Sequence, residues 1–414
     1  MKLKSCAGPA GLRRPMWRGG LAALTAAAAL AGCGSATNTT STTTAAADAA
    51  APANVSDAPE QLKSFTTEPT SGLDKDINEA FKRFSVPQVS EETQKVLDFS
   101  AQLESGESKA GQGKKIAYVT ECATENAYCL TRLKAVQAAV KKYGATMKIF
   151  NAAFDAGKQL SVAQTASTGD FDGFMFGPVA GQLGCRIWKQ YLRPTGKPII
   201  NMDIPMCGNA EHTPGMAATL TMQSTPYFMA QLAHAFSSCK TKCKVMAIGG
   251  FTGTDLFNYW QTALKTEAAA YPNVEIVVDQ AANFDPTKGF AAIQTGLRAH
   301  PDASVVVSSW DDMTRGAIRA IQAAGKEPGK DVRVYSAGGS KFAANLIKQG
   351  KWTSTTPLQP YEEGLYGVAS LLMAMEGKPV NAWINEAEFP AIVPDGTGSL
   401  YVTKDNVDKL KPRF

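Results

Sequence analysis

The residues whose chemistry is easiest to recognise in this chain are its cysteines, its three histidines and one pair of adjacent aspartates. Beyond the first 33 residues six cysteines remain, in three close pairs: Cys122 with Cys129, Cys185 with Cys207, and Cys239 with Cys243. No Cys-x-x-Cys occurs, and His212, His234 and His300 stand apart, so the converging ligand set that zinc requires is missing and no metal is expected. An even cysteine count behind an export signal argues for disulfides, with pairing of neighbours as the preference among several connectivities. Nucleophilic and phosphate chemistry find no support either. Gly196-Lys197 runs into Pro198 rather than a phosphate loop. No strand is followed by Gly-x-Gly-x-x-Gly, no Gly-x-Ser-x-Gly elbow occurs, and the scattered histidines form no evident triad. Asp311-Asp312 resembles a catalytic pair only superficially. Neighbouring side chains diverge, so one is expected to cap the next helix while the other faces the cleft. The chain is therefore read as no enzyme, with no cofactor.

The first 33 residues read as a leader. Lys2, Lys4, Arg13, Arg14 and Arg18 form a basic start, residues 21–30 form an apolar stretch too short to span a bilayer comfortably, and Leu30-Ala31-Gly32-Cys33 follows at once. This is the pattern of a bacterial lipoprotein signal, with Cys33 as the residue that takes the lipid. The expected location is extracytoplasmic and membrane-anchored. The formal charge of +5 equals the five basic residues of this leader, so the rest of the chain is balanced and calls for no nucleic-acid partner. Residues 34 to about 59, rich in Thr, Ala and Ser, read as a flexible tether, because they carry too little apolar surface to offset ordering. Residues 74–105 show helical spacing on either side of Pro87, and 34–113 as a whole reads as a tether with a helical extension.

From residue 114 short apolar runs alternate with helical patterns. Strands are expected at 116–119, 147–150, 174–176, 198–201 and 219–221, with helices at 127–143, 158–168 and 182–192 between them. The rhythm restarts with strands at 245–248, 274–278, 304–307 and 332–335 and helices at 255–270, 287–299, 313–324 and 341–349; a last helix covers 361–376. This predicts an α/β fold of two Rossmann-like lobes, each a parallel sheet with helices on both faces. Ligands of open α/β sheets sit off the carboxyl ends of the strands, so the expected site is the cleft between the lobes. The segments that follow strands, 120–128, 177–184, 202–206, 250–260, 309–312 and 336–340, should line it.

The stretch Val305-Val-Val-Ser-Ser-Trp-Asp-Asp-Met-Thr-Arg-Gly-Ala317 resembles a segment of the type I periplasmic sugar-binding proteins, the ribose- and galactose-binding class. Ala299-His-Pro-Asp302, Ile347-Lys-Gln-Gly350, Pro360-Tyr-Glu-Glu-Gly364 and Glu376-Gly-Lys378 extend the resemblance over about residues 115–410. The resemblance implies a three-segment hinge near 222–225, 357–360 and 386–390. Lobe 1 would be 114–223 plus 359–388, and lobe 2 would be 224–358 plus 389–414. It also implies a monomeric receptor that closes on a small molecule and presents it to the permease and ATPase of an ABC importer. A sensory receptor for a membrane signalling partner has the same fold and is the alternative role.

At the site the chain departs from the sugar binders. Asn126, Asp203 and Phe284 stand where the class has Asn, Asp and Phe, and Tyr128 stands at a class Phe. Trp260 replaces an Arg, Trp310 an Asn, and Ala337-Gly338 a Phe-Asp pair, while Gln359 lies one residue from the position of a hinge Gln. With Phe251 and Asp311, which follow strands, these are the expected ligand contacts: Asn126, Tyr128, Asp203, Phe251, Trp260, Phe284, Trp310, Asp311, Gly338 and Gln359. Polar partners for sugar hydroxyls are replaced by rings, so an aromatic or cationic ligand is expected ahead of a sugar or polyol. A disulfide between Cys122 and Cys129 would brace the loop that carries Asn126 and Tyr128.

Overall fold

The computed structural model describes residues 89–208, 212–389 and 401–414. The leader, Cys33, the tether and the first of the two short helices expected over 74–105 lie outside the described residues. One sheet contains β1 (Lys115–Thr120), β2 (Thr146–Asn151), β3 (Gly173–Phe176), β4 (Ile199–Met202), β5 (Ala218–Thr221) and β11 (Trp383–Asn385), in the order β11-β5-β4-β3-β1-β2. The other contains β6 (Cys243–Gly249), β7 (Val274–Ala281), β8 (Val305–Ser308), β9 (Arg333–Gly338) and β10 (Ser354–Pro357), in the order β10-β9-β8-β6-β7. All neighbouring strands in both sheets run parallel. This is the two-sheet α/β architecture expected from the alternating pattern. Strands such as β3 and β8 are buried at every residue, as parallel strands covered on both faces must be.

The helices are α1 (Glu91–Ser105), α2 (Ala127–Lys142), α3 (Ala156–Ser167), α4 (Gly181–Ile187), α5 (Thr225–Ser237), α6 (Asp255–Ala270), α7 (Pro286–Ala299), α8 (Asp311–Ala323), α9 (Lys341–Lys348) and α10 (Pro360–Met375). Most begin on a side chain that accepts a backbone N–H of the first turn: Asn126 for α2, Asp155 for α3, Thr254 for α6, Asp285 for α7 and Ser340 for α9. These caps fix where each strand-to-helix loop ends, and so fix the rim of the cleft.

Some elements differ from the expectation. Helix α5 was not foreseen: nearly every residue is buried, so no polar face marks its period. Strand β10 reads Ser-Thr-Thr-Pro and β11 is three residues long, so neither carries an apolar run. The helix expected at 182–192 is α4 followed by a π turn over Trp188–Leu192 and a 3₁₀ turn that contains Pro194.

The chain enters the second sheet through α5, after β5, and leaves it after β10, where α10 packs against α2. Residues 401–402 return to the second sheet through an antiparallel bridge between Thr355 and Val402. Beneath α10, Val368 and Leu371 share a core with Tyr118, Met175 and Ile200. In the second unit Trp260 and Leu264 share a core with Val245, Val306 and Val334, and this core continues to Cys122, Tyr128 and Cys129 of the first.

Candidate functional site

In each sheet the first strand is flanked on its two sides by the next two, β1 by β2 and β3, β6 by β7 and β8. The loops leave these neighbours in opposite directions and open a crevice at the strand ends. The two crevices face each other across a cavity of about 350 Å³, its mouth included.

From the first sheet come Glu121 after β1, Asn126 and Tyr128 at the start of α2, Phe154 after β2 and Asp203 after β4; from the second come Leu256, Phe284 and Trp310. Gln223, on the crossing between them, completes one wall with Cys122 and Cys129. Five expected contacts thus gather at one cavity: Asn126, Tyr128, Asp203, Phe284 and Trp310. Phe251 adjoins them, its ring centroid 5.5 Å from those of both Phe154 and Phe284.

Phe154 was missed, though the sequence holds a signal for it. Ala152-Ala-Phe-Asp155 after β2 repeats as Ala282-Asn-Phe-Asp285 after β7. Both copies turn through two left-handed residues, Ala153 and Phe154 at φ 53° and 61°, Asn283 and Phe284 at 53° and 56°. In both, the Asp caps the following helix and its N–H bonds the carbonyl three residues back, 3.1 and 2.9 Å. A bulky residue at positive φ is strained, and here the strain aims one phenyl ring from each lobe into the cleft.

Asp203 also sits at positive φ, 72°, directly after β4. Its N–H donates to the Leu220 carbonyl at 3.0 Å, and its own carbonyl accepts the Thr221 hydroxyl. With both backbone groups held, the side chain is directed to the cavity. It is 7% exposed, and among the described residues its carboxylate has no hydrogen-bond partner. Burial, then the nearby charge of Glu121, pushes its carboxyl well above the usual range.

Behind it lies a network that the sequence did not reveal. Arg132, fully buried on α2, bonds Glu121 and, at 3.1 Å, Glu363 of α10. Tyr128 donates its hydroxyl to Glu363 at 2.6 Å while its ring lines the cavity. Glu386, in the 3₁₀ turn after β11, is 2% exposed, and burial together with Glu363 pushes its carboxyl well above the usual range. Glu363 lies 231 positions along the chain from Arg132, so no local spacing announces that pairing.

Trp310 is held from three sides. Its indole N–H donates to Asp312 at 3.2 Å, Phe414 stacks on it at 5.6 Å, and the Tyr128 ring meets it edge-on at 5.7 Å. Asn126 doubles as the cap of α2, its Oδ1 accepting the Cys129 N–H at 2.9 Å.

Four expected contacts are placed away from the lining. Trp260 is fully buried in the second core, edge-on to Phe228 at 5.5 Å, because α6 turns Trp260, Ala263, Leu264 and Glu267 to its sheet. Asp311 points back under the sheet, where it accepts Thr355 Oγ1 at 2.9 Å and the Ser340 N–H at 2.8 Å and ties β10 to α9. Burial pushes its carboxyl up to about 6. So neither aspartate of the pair faces the cavity: Asp311 staples the lobe and Asp312 steadies Trp310. Gly338 packs on the Asp311 carboxyl, too tightly for a side chain. Gln359 sits at the hinge, where its amide donates to the Glu386 carbonyl.

The cysteine pairs come together as neighbours, with Cα–Cα separations of 5.6, 4.9 and 5.6 Å for Cys122–Cys129, Cys185–Cys207 and Cys239–Cys243. Among the described residues no group of three or more His, Cys, Asp or Glu is placed to hold a metal ion.

Known proteins share the fold. The ribose import binding protein of Bacillus subtilis is 25% identical over 287 residues, 67% of this chain and 88% of that protein. Its Salmonella typhimurium counterpart is 33% identical over 139 residues, 34% of this chain, and there the chain spans 46% of the relative's length. Among solved structures, a Bacillus halodurans solute binding protein with bound myo-inositol superposes with a TM-score of 0.62 at 19% identity, covering 72% of this chain and 97% of that one. A galactofuranose binding protein gives 0.58 at 18%, covering 64% and 89%. At these identities the structures speak to the fold alone. The sequence profile of the family described as periplasmic binding protein domain matches residues 116–379, well over half of the chain. With two parallel α/β sheets facing each other across an aromatic cavity, the chain belongs to the periplasmic binding protein family.

Proposed function

We propose that this protein is the solute receptor of an ABC importer, a lipid-anchored extracytoplasmic monomer that binds a small organic molecule between its lobes and catalyses nothing. Its partners are a permease and an ATPase. The lobes are 114–223 plus 359–388 and 224–358 plus 389–414, and the three cysteine pairs are disulfides. The ligand is aromatic or cationic. One observation carries this reading: the cavity is walled by Tyr128, Phe154, Phe284 and Trp310 and contains a single unpartnered carboxylate, Asp203. Rings provide faces for stacking or for a cation, and each sugar hydroxyl buried against a ring would lose a partner at a cost of about 1–3 kcal/mol.

The second reading is a sugar or polyol receptor of the same importer class. It is favoured by the names of the relatives, which include ribose and D-apiose import binding proteins. A thermal-shift panel of sugars, polyols, aromatic acids and amines separates the two. A ligand at about 100 times its Kd adds roughly 2.7 kcal/mol of stability. Shifts with aromatic or amine compounds, lost in Trp310→Ala, support the first reading, and shifts with sugars alone replace it by the second. Recovery of the ligand chemically changed would make the protein an enzyme and end both.

A further inference from the structure

The inner end of the cavity has an unbalanced set of charges. Glu121, Asp203, Glu363 and Glu386, each at most 7% exposed, surround a single guanidinium, that of Arg132. Arg132 is committed to Glu121 and Glu363. Among the described residues the Asp203 carboxylate has no hydrogen-bond or ion-pair partner; the charge of Arg132 favours its ionised form without a direct contact, and the carboxyl borders the cavity. A carboxyl buried without a partner either keeps its proton or awaits a cation from outside. Beside it stand the rings of Tyr128, Trp310 and Phe284, which attract an organic cation, together with the oxygen-bearing side chains of Glu121, Asn126 and Gln223.

We propose that the cavity binds the ammonium group of an organic cation against Asp203, and that binding exchanges one proton of Asp203 for the ligand's charge. This rests on the receptor reading above. In the empty protein the Asp203 carboxyl keeps its O–H. When the ligand enters, the O–H ionises, the proton passes to solvent and the ammonium takes its place; no bond of the ligand is made or broken. The groups facing Asp203 are Glu121 at the end of β1, Tyr128 and Arg132 on α2, Glu363 on α10, Glu386 beyond β11 and Tyr259 on α6. Burial first, and then the charge of Glu121, favours the protonated empty state, against the opposing charge of Arg132. Because the ligand's charge stabilises the ionised form, capture strengthens as pH rises.

The test is isothermal titration calorimetry of the purified protein with choline and tyramine, against the neutral analogues 3,3-dimethylbutan-1-ol and tyrosol, and against D-ribose and myo-inositol. Each titration is run in phosphate and in Tris, whose different ionisation heats count the protons released. The expected result is a cation that binds at least about tenfold tighter than its neutral analogue. It releases about one proton and tightens about tenfold per pH unit on the acidic side. Asp203→Asn, with an unchanged melting curve in the absence of ligand, loses the preference and the proton release together. Neutral analogues or sugars binding as well as the cations, with no proton release, overturn the inference and leave the receptor reading in place. Silence from every compound removes both.

Discussion

Arg132 is fully buried with two carboxylates in its grasp, and removing it would leave Glu121 and Glu363 uncompensated. Arg132→Met should therefore destabilise the protein by about 3–5 kcal/mol near neutral pH. The loss should shrink as pH falls, because burial raises the Glu363 carboxyl and lets it take up a proton. Urea melts at two pH values check this. Glu267 is the opposite case, a carboxyl on the buried face of α6, 3% exposed and with one oxygen unpartnered. Burial pushes it up to about 8 from 4.5. Below pH 4.5 it is protonated in both folded and unfolded chains and costs nothing. As pH rises towards 8 the unfolded chain ionises first, and stability falls. Near pH 7 the loss is about 3 kcal/mol. Glu267→Gln should flatten that slope, measurable as a melting temperature that no longer drops between mildly acidic and neutral buffer.

At the scale of elements, the cleft depends on how helices carry its loops. Helix α7 begins just after Phe284 and α8 just after Trp310, and the two cross where Gly316 meets the Pro286 carbonyl and Gly289 meets Met313. A methyl group at Gly316 would press into the backbone of α7. Gly316→Ala should cost about 1–3 kcal/mol by overpacking, and should weaken ligand binding because Phe284 and Trp310 would shift with their helices. Chemical denaturation measures the first effect and calorimetry the second; full stability in this variant would show that the two helices part to admit a methyl group. Much of this level was legible beforehand. Helix α6 was read from its period at its observed bounds, because a half-buried helix displays an apolar stripe. Helix α5 was not read, because burial on all sides erases the stripe.

Across the whole molecule, the two lobes touch through a few identifiable pairs. Tyr128 meets Trp310, Phe154 meets Phe251, Asp255 accepts the Gly181 N–H, and Arg413 bonds Glu362 at 2.6–2.8 Å. These contacts describe a closed arrangement, and a ligand favours closure only by binding that state better. Small-angle scattering should show a smaller radius of gyration with bound ligand than without. Arg413→Ala removes a half-exposed latch that does not itself line the cavity. It should shift the free protein towards the open form and weaken binding by about two- to fivefold, with no change in which ligands bind. A radius indifferent to ligand in both proteins would rule out closure as the signal read by a partner.

The sequence by itself determined the α/β class, the doubled run of strands and helices, the pairing preference of the cysteines, and the loops that border the cleft. These depend on local period, caps and turns, which each stretch of chain carries within itself. It also singled out Asp203, Tyr128 and Trp310, because motif position places them after strands. Only the tertiary structure decided which aromatic residues face the cleft. Trp260 and Trp310 read alike as substitutions at ligand positions, yet helix rotation buries the first in a core and leaves the second against the cavity. The charge network of Glu121, Arg132, Glu363 and Glu386 was equally hidden. Its members approach from β1, α2, α10 and the end of β11, and what binds them is burial and charge in three dimensions, which spacing along the chain does not encode.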